Sequence, residues 1–207
     1  AATVTPHRAF YEMQLGVADQ NSNVQSVSGR SAFTLDRDCD GWRSNEKYLI
    51  EFGDKEGGRD RILSRFESWG SDNGDLSSCE ISENSSFESA KDFGGFAEIK
   101  SGGGDAYFSM ADAVAVALPT DTYFPMRHLN SIIDSAENGK TMLAASVFTG
   151  AKPDDALLST NTVIGGWRGE EAAILMGEFG QDGYWPVQID YFKPAATAAA
   201  PEYDIQY

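Results

Sequence analysis

The densest group of possible metal ligands is the acidic run 36–41, Asp-Arg-Asp-Cys-Asp-Gly. Its D-x-D-x-D-G order is that of the start of a calcium-binding loop, in which clustered carboxylate oxygens hold the ion. The twelfth position of such a loop requires glutamate but is Lys47 here, and the flanking sequence is typical of strands. We therefore interpret the run as an acidic turn between strands and predict no metal site.

Side chains for nucleophilic or zinc chemistry are too few and too far apart to form a pattern. The chain has two histidines, His7 and His128, and two cysteines, Cys39 and Cys79. The sequence contains no G-x-S-x-G elbow, no Cys-x-x-Cys pair and no zinc-ligand spacing. We predict a protein without catalytic residues, metal or cofactor, in which His128 packs beside the apolar stripe of a helix.

The 32 Asp and Glu residues leave one enzymatic alternative open, a hydrolase that works through two carboxylates. Such a pair would have to face each other in a cleft, with the pKa of at least one carboxyl group raised. In so acidic a chain most carboxylates are solvated surface charges, so their number does not identify a pair. This hypothesis ranks below the two non-enzymatic ones given below.

Five large apolar side chains are candidates for the lining of a binding cavity. Trp42 and Trp69 lie on predicted strands, and Leu129, Ile132 and Ile133 lie on a predicted helix. The alternative is that they pack as ordinary core, as most large aromatic side chains of a curved sheet do.

The net charge of the chain is −16, from 16 Lys and Arg against 32 Asp and Glu. A field of this sign repels phosphate, which argues against nucleic acid as a partner and against anionic lipid head groups. No run of about 20 apolar residues is present, so we predict no transmembrane segment. The first residues, 1–6, resemble the start of a mature chain after removal of a signal peptide.

Short segments of alternating apolar and polar residues, separated by turns rich in Gly and Asp, predict many strands. They run over 9–15, 27–35, 42–52, 61–69, 76–81, 87–90, 96–99, 106–109, 114–118, 142–148, 157–167, 173–179, 184–192 and 203–207. One helix is predicted over 125–138, because Pro125 suits a first helical turn and Gly139 suits the left-handed cap.

Strands without intervening helices cannot form a parallel sheet. We predict one mainly β domain over residues 1–207, a curved antiparallel sheet or broken barrel wrapped round one central helix. The stripe formed by Leu129, Ile132 and Ile133 would be buried on the concave side of the sheet.

Seven stretches of the chain are together similar to one known family. They are Pro6–Met13, Ser28–Arg30, Cys39–Trp42, Phe66–Gly74, Leu118–His128, Val147–Gly150 and Tyr184–Val187. In this order they resemble the cell-envelope-integrity proteins called EipB, long known as a domain of unknown function. The resemblance covers nearly the whole chain.

The resemblance implies a periplasmic protein with a signal peptide and a role in keeping the cell envelope intact. It implies a β-spiral fold, strands wound round one helix, similar to the LolA- and LolB-like lipoprotein carriers of the periplasm. It also implies a tetratricopeptide-repeat protein as a partner. No catalytic residue is transferred with it.

The resemblance also raises the question of a disulfide. The family joins a cysteine matched here by Cys39 to one near the C-terminus of a longer chain, and this chain has no cysteine after Cys79. Either C-terminal strands are missing or Cys79 has become the partner. A Cys39–Cys79 bond would close a loop of about 40 residues and stabilise by about 3–4 kcal/mol. The alternative is one buried and one exposed thiol.

Two non-enzymatic functions follow from these observations. The first is a periplasmic protein that supports envelope integrity through protein–protein interaction. The second is a carrier that binds a lipid or lipoprotein acyl chain on the concave face of the sheet, and it would require a continuous apolar cavity beside the helix.

Overall fold

The computed structural model describes residues 4–15, 23–87, 89–109, 114–150, 153–169, 183–194, 201 and 203–206. In these residues it contains thirteen strands and one α-helix, so the prediction of a mainly β fold with one helix is confirmed. Two compact units make up the chain. One comprises residues 5–98 and 105–117, and the other comprises residues 1–4, 99–104 and 118–207.

A sheet of eight strands that follow one another in chain order, as hairpin connections require, makes up most of the first unit. The strands are β1 (His7–Gln14), β2 (Val24–Arg37), β3 (Gly41–Asp54), β4 (Arg59–Ser71), β5 (Leu76–Ser85), β6 (Lys91–Lys100), β7 (Gly103–Phe108) and β8 (Val114–Leu118). Neighbouring strands from β1 to β6 are antiparallel. The large antiparallel sheet predicted from the sequence is therefore present.

Alternation of side chains gives this sheet two chemically different faces. One face, here called the polar face, carries Arg43, Glu67 and Glu80, which lie opposite or near one another on β3, β4 and β5. The other, here called the aromatic face, carries Phe66 and Phe93 at the positions between them. Aromatic and β-branched residues favour strands. Residues two positions apart on a strand lie on the same face, so their spacing decides which face each side chain joins.

The second unit contains a five-stranded sheet of order β13-β12-β11-β10-β9. Its strands are β9 (Thr122–Tyr123), β10 (Met142–Phe148), β11 (Leu157–Ile164), β12 (Val187–Phe192) and β13 (Tyr203–Gln206). Only the short pairing of β9 with β10 is parallel among these. A single turn of 3-10 helix, Pro153–Asp155, precedes β11.

The α-helix, α1 (Pro125–Glu137), has the boundaries that its sequence predicts. Pro125 lies in the first turn, where its missing N–H leaves no helical hydrogen bond unmade. Gly139 has a φ of +71°, and its N–H donates to the carbonyl of Ala136, which ends the helix. No helix in the described residues is long and apolar enough to cross a bilayer.

The helix packs on the five-stranded sheet of its own unit, and its buried residues are His128, Ile132, Ser135 and Ala136. Ile132 and Ala136 form a buried cluster with Ile164 of β11 and Ile189 of β12. Half-buried hydrophobic residues surround this cluster: Leu143, Trp185, Val187 and Tyr191.

Some predicted strand limits differ from the structure. The strand predicted over 87–90 is wrong, since residues 87, 89 and 90 are not in a strand. β5 ends at Ser85, and the last hydrogen bond to β4 is from the Ser86 N–H to the carbonyl of Arg61. The strand predicted over 157–167 ends at Ile164, and that predicted over 184–192 begins at Val187. The prediction over 173–179 lies outside the described residues.

Candidate functional site

The two tryptophans predicted to line a cavity lie on opposite faces of the eight-stranded sheet. Trp42 of β3 is paired with Gly70, and Trp69 of β4 is paired with Arg43. Since neighbouring positions on a strand point in opposite directions, Trp42 lies on the aromatic face and Trp69 on the polar face. Trp42 has the Arg37 guanidinium 5.1 Å from its ring centroid. The two indoles cannot line one cavity.

The three helical candidates have three different environments. Ile132 is buried in the cluster beneath the helix, whereas Leu129 is 38% exposed and Ile133 is half-buried. The space between the helix and its own sheet is therefore filled by Ile132 and its neighbours. Leu129 and Ile133 lie at the border of the packed face.

The two cysteines are free thiols in the structure, Cys39 exposed and Cys79 buried. Cys39 lies in the turn between β2 and β3, whereas Cys79 lies on β5 opposite Ser68 of β4. β4 separates β3 from β5, and two strand spacings amount to about 10 Å. Because a disulfide joins Cα atoms within about 7 Å, this register leaves the Cys39–Cys79 bond unformed.

Burial also makes one of these thiols chemically inert. It raises the pKa of Cys79 to about 11, so the group is a protonated thiol at neutral pH, and thiols are poor nucleophiles. Cys79 packs against Gly95, whose lack of a side chain leaves room for the sulfur atom. It is a core residue of the sheet.

The acidic turn at 36–41 uses its carboxylates for local contacts. The Asp38 carboxylate accepts hydrogen bonds from the backbone N–H of Asp40 at 3.2 Å and from the indole N–H of Trp69 at 3.1 Å. It also forms an ion pair with Arg43 at 3.6 Å. The described residues contain no group of three or more His, Cys, Asp or Glu side chains that could hold a metal ion.

His128 is 4% exposed and faces the five-stranded sheet, as the sequence predicts for a packed histidine. Its Nε2 lies 3.4 Å from the hydroxyl oxygen of Thr160, and its ring is 6.4 Å from that of Tyr123. Burial lowers the pKa of His128 to about 4, so the ring is neutral at neutral pH. Its surroundings are those of a buried side chain and not of a proton-transfer site.

Two carboxylates do face each other, but on an open surface. Glu67 and Glu80 are directly opposite on β4 and β5. Glu67 accepts hydrogen bonds from Asn45 and Arg65, while Glu80 is exposed. A general acid needs a carboxyl group whose proton is retained by burial, and this pair lacks the buried cleft that such chemistry uses.

Two adjacent exposed aromatic side chains lie on the first strand of the sheet, and one of them, Phe10, is the most exposed large hydrophobic side chain of the described residues. β1 pairs with β2 over eight consecutive residues without a bulge, and in the described part of the chain it is an edge of the sheet. Phe10 is 83% exposed and Tyr11 is 50% exposed, and as neighbours they point to opposite faces. His7 is positioned at the start of the strand by Phe33, with the ring centroids 5.6 Å apart.

An edge strand directs every second N–H and C=O group away from its partner, where another strand can pair with them. Natural edges are usually blunted by proline, charged side chains or a bulge. β1 has no proline and no bulge within its eight residues, and its charged side chains, Arg8 and Glu12, flank the exposed Phe10 and Tyr11. Sequence reasoning identified the strand but not its position at an edge, because an edge is defined by the order of strands in the sheet. The exposed pair Phe10 and Tyr11 was the available signal.

Comparison with known proteins gives one family and relatives of known sequence or structure. A family model described as EipB-like matches residues 1–207. A protein of Brucella abortus (strain 2308), named cell envelope integrity protein EipB, is 27% identical over 199 residues, which cover 93% of this chain and 69% of that protein.

The fold is also similar to a solved structure. A crystal structure described as a beta-barrel-like protein of a domain of unknown function, also from Brucella abortus, superposes with a TM-score of 0.87 at 24% identity. The similarity covers 100% of this chain and 86% of the other.

Proposed function

Because this chain belongs to the EipB-like family, we propose that it is a non-catalytic periplasmic protein that supports cell-envelope integrity by binding another protein. The relative from Brucella abortus is named for envelope integrity, which supports the cellular part of the proposal. The observation that carries the molecular part is the open edge of β1 with its two exposed aromatic side chains.

Binding at this edge would use strand addition. An extended segment of the partner would form main-chain hydrogen bonds with β1, and its side chains would pack on Phe10 at one face and on Tyr11 at the other. The net charge of −16 favours a basic segment, because opposite charge accelerates association. The resemblance implies a tetratricopeptide-repeat partner, which would have to present an extended segment outside its helical repeats.

The test places a photo-crosslinking amino acid at Phe10 and, as a matched control, at Leu63. Leu63 is 55% exposed on the same face of the sheet but lies on the interior strand β4. We expect cross-links to a defined periplasmic protein from position 10 and not from position 63. Equal labelling from both positions, or none from position 10, would contradict the proposal.

The same pair of positions gives a functional readout. Phe10→Lys places a charge at the edge, where lysine blocks strand addition, whereas Leu63→Lys adds the same charge elsewhere. In cells that lack the protein we expect Leu63→Lys to restore resistance to detergent and Phe10→Lys to fail, at equal amounts of periplasmic protein. Restoration by both variants would mean that β1 is not the binding edge.

The second candidate function is the carriage of an acyl chain on the aromatic face. Phe33, Phe66, Ile81 and Phe93 lie in one transverse row there, in which Glu46 of β3 lies between Phe33 and Phe66. The four apolar side chains are half-buried, so each retains accessible apolar surface. Native mass spectrometry of protein from a periplasmic extract separates the two functions. A lipid released in stoichiometric amount would favour carriage, and a bare polypeptide mass would favour protein binding.

A further inference from the structure

Two shallow grooves cross the polar face of the eight-stranded sheet and share Arg43 in their lining. One, of about 270 Å³, is lined by residues of β3 to β6, including Trp69, Ser78 and Gly94. The other, of about 370 Å³, is lined by residues of β2 and β3, including Thr34. Together they run across five neighbouring strands, a length of about 19 Å at the usual strand spacing.

The two grooves together are called the path here, and Trp69 on the middle strand, β4, is held in a defined orientation at its centre. Its indole N–H donates to the Asp38 carboxylate at 3.1 Å. The Cε2 atom of the ring lies only 3.1 Å from where a Cβ on Gly41 would be, so the missing side chain of Gly41 lets the ring lie against the backbone. The rest of the half-buried ring borders the groove. An aromatic surface fixed in this way loses little side-chain entropy on binding.

The floor beside Trp69 is low, and it is bordered by charged side chains and by the ring of Phe96, which is paired with Ser78 and is 45% exposed. Ser78 is paired with Trp69 and Glu80 with Gly94, so a short side chain and a glycine leave the sheet surface open. Two acidic and one basic side chain, Glu67, Glu80 and Arg43, surround this floor.

The second groove continues this mixture of donors and acceptors. Its charged side chains are Asp36, Lys47 and the shared Arg43, and it includes the neutral amide of Asn45. Over both grooves three acidic side chains face two basic ones. Several of these charges are already paired locally, since Arg43 lies 3.6 Å from Asp38 and Arg65 pairs with Glu67. The path is therefore nearly neutral in a chain of charge −16. Its side chains include both hydrogen-bond donors and hydrogen-bond acceptors.

We propose that this path is a binding site for a linear chain of neutral pyranose units. A pyranose ring has a face of C–H groups that packs on an indole, and hydroxyl groups at its rim that both donate and accept hydrogen bonds. Trp69 would receive one ring by stacking, and Arg43, Asn45, Glu67 and Glu80 would bond the hydroxyls. The length of about four sugar units follows from the width of five strands. The second groove ends next to the edge strand, because its lining residue Ala32 is paired with Phe10 of β1.

The test is isothermal titration calorimetry of the full chain with two neutral linear probes, the β-1,4-linked tetramers of N-acetylglucosamine and of glucose. We expect at least one tetramer to bind, and to bind more tightly than its monosaccharide because the path is extended. Trp69→Ala should weaken binding by about tenfold or more. The matched control, Trp167→Ala, removes an indole that is 50% exposed in the other unit and should leave binding unchanged.

A second variant tests the site without removing the indole. Ser78→Arg fills the floor of the groove and should abolish binding, while circular dichroism and thermal unfolding show that the fold is retained. Tyr11→Lys changes the edge of β1 on the opposite, aromatic face and should bind both probes as the wild type does, which separates this site from the proposed protein-binding edge. The proposal is overturned if neither tetramer binds at millimolar concentration, or if Trp69→Ala binds them as tightly as the wild type.

Discussion

Two buried threonines of β11 have side chains of the same shape but different hydrogen bonding. Thr160 and Thr162 both point to the buried face of the strand. The Thr160 hydroxyl donates to the carbonyl of Ala145 at 3.2 Å and lies 3.4 Å from His128. The Thr162 hydroxyl has no hydrogen-bond partner among the described residues. A buried hydroxyl without a partner loses its hydration and gains nothing in return.

We expect the two threonine-to-valine substitutions to have opposite effects on stability. Thr162→Val removes an unpaired hydroxyl and should raise the free energy of unfolding by about 1 kcal/mol, whereas Thr160→Val should lower it by about 1 kcal/mol. Urea unfolding followed by tryptophan fluorescence measures both. A stability loss of equal size in both variants would show that the Thr162 hydroxyl has a partner.

The buried histidine predicts a loss of stability in acid. Burial lowers the pKa of His128 to about 4 in the folded protein, while an unfolded histidine titrates near 6.5. As the pH falls below 6.5 the unfolded chain gains a proton that the folded chain does not accept until about pH 4. The free energy of unfolding should therefore be highest above pH 6.5 and fall by up to about 3 kcal/mol by pH 4.

Urea unfolding at pH 7.5, 5.5 and 4.5 measures this dependence. His128→Gln, which has no titrating ring, should lose less stability than the wild type over the same range, and His7→Gln controls for the loss of a histidine elsewhere. An unchanged pH dependence in His128→Gln would rule out His128 as its source.

At the scale of elements, α1 shows how packing selects one side of an amphipathic helix. Its sequence has apolar residues at 129, 132, 133 and 136. This apolar stripe is wider than the part of the helix that is buried. The structure buries the side with His128, Ile132, Ser135 and Ala136, leaving Leu129 38% exposed. The buried face therefore includes His128 and Ser135 in place of Leu129 and Ile133, and it is rotated relative to the predicted stripe.

This rotation predicts unequal effects of truncating two similar side chains. Ile132→Ala creates a cavity beneath the helix and should lower the free energy of unfolding by about 2–5 kcal/mol. Leu129→Ala removes a partly exposed side chain and should lower it by less than about 1.5 kcal/mol. The measurement is urea unfolding at pH 7.5. Equal losses would mean that the helix buries both sides.

At the scale of the whole molecule, the net charge of −16 opposes compaction. Salt screens repulsion between exposed charges, because the Debye length shortens from about 30 Å at 0.01 M to about 8 Å at 0.15 M. We expect the melting temperature at pH 7.5 to rise by about 2–4 °C over this range, which corresponds to about 1 kcal/mol. Calorimetry at several salt concentrations measures it.

A control for this effect is provided by pH. Near the calculated isoelectric point of about 4.3 the net charge vanishes, so the same increase in salt should change the melting temperature much less. A melting temperature that falls with added salt at pH 7.5 would indicate that attractive ion pairs dominate over the net repulsion.

Local sequence patterns were sufficient for the class of fold and for the limits of α1. Alternation over a few residues identifies a strand, and Pro125 and Gly139 act on the backbone next to them. The charge balance likewise needs no coordinates. The family resemblance rested on ordered motifs along the chain, and the EipB-like match confirms it.

Contacts between distant residues depended on the register of the strands. A shift of one residue exchanges the two faces of a strand, so the separation of Trp42 from Trp69 could not be read from alternation alone. The distance between Cys39 and Cys79 and the position of β1 at an edge depend on which strands are neighbours. Pairing of strands joins residues far apart in the chain, and only the tertiary structure contains that information.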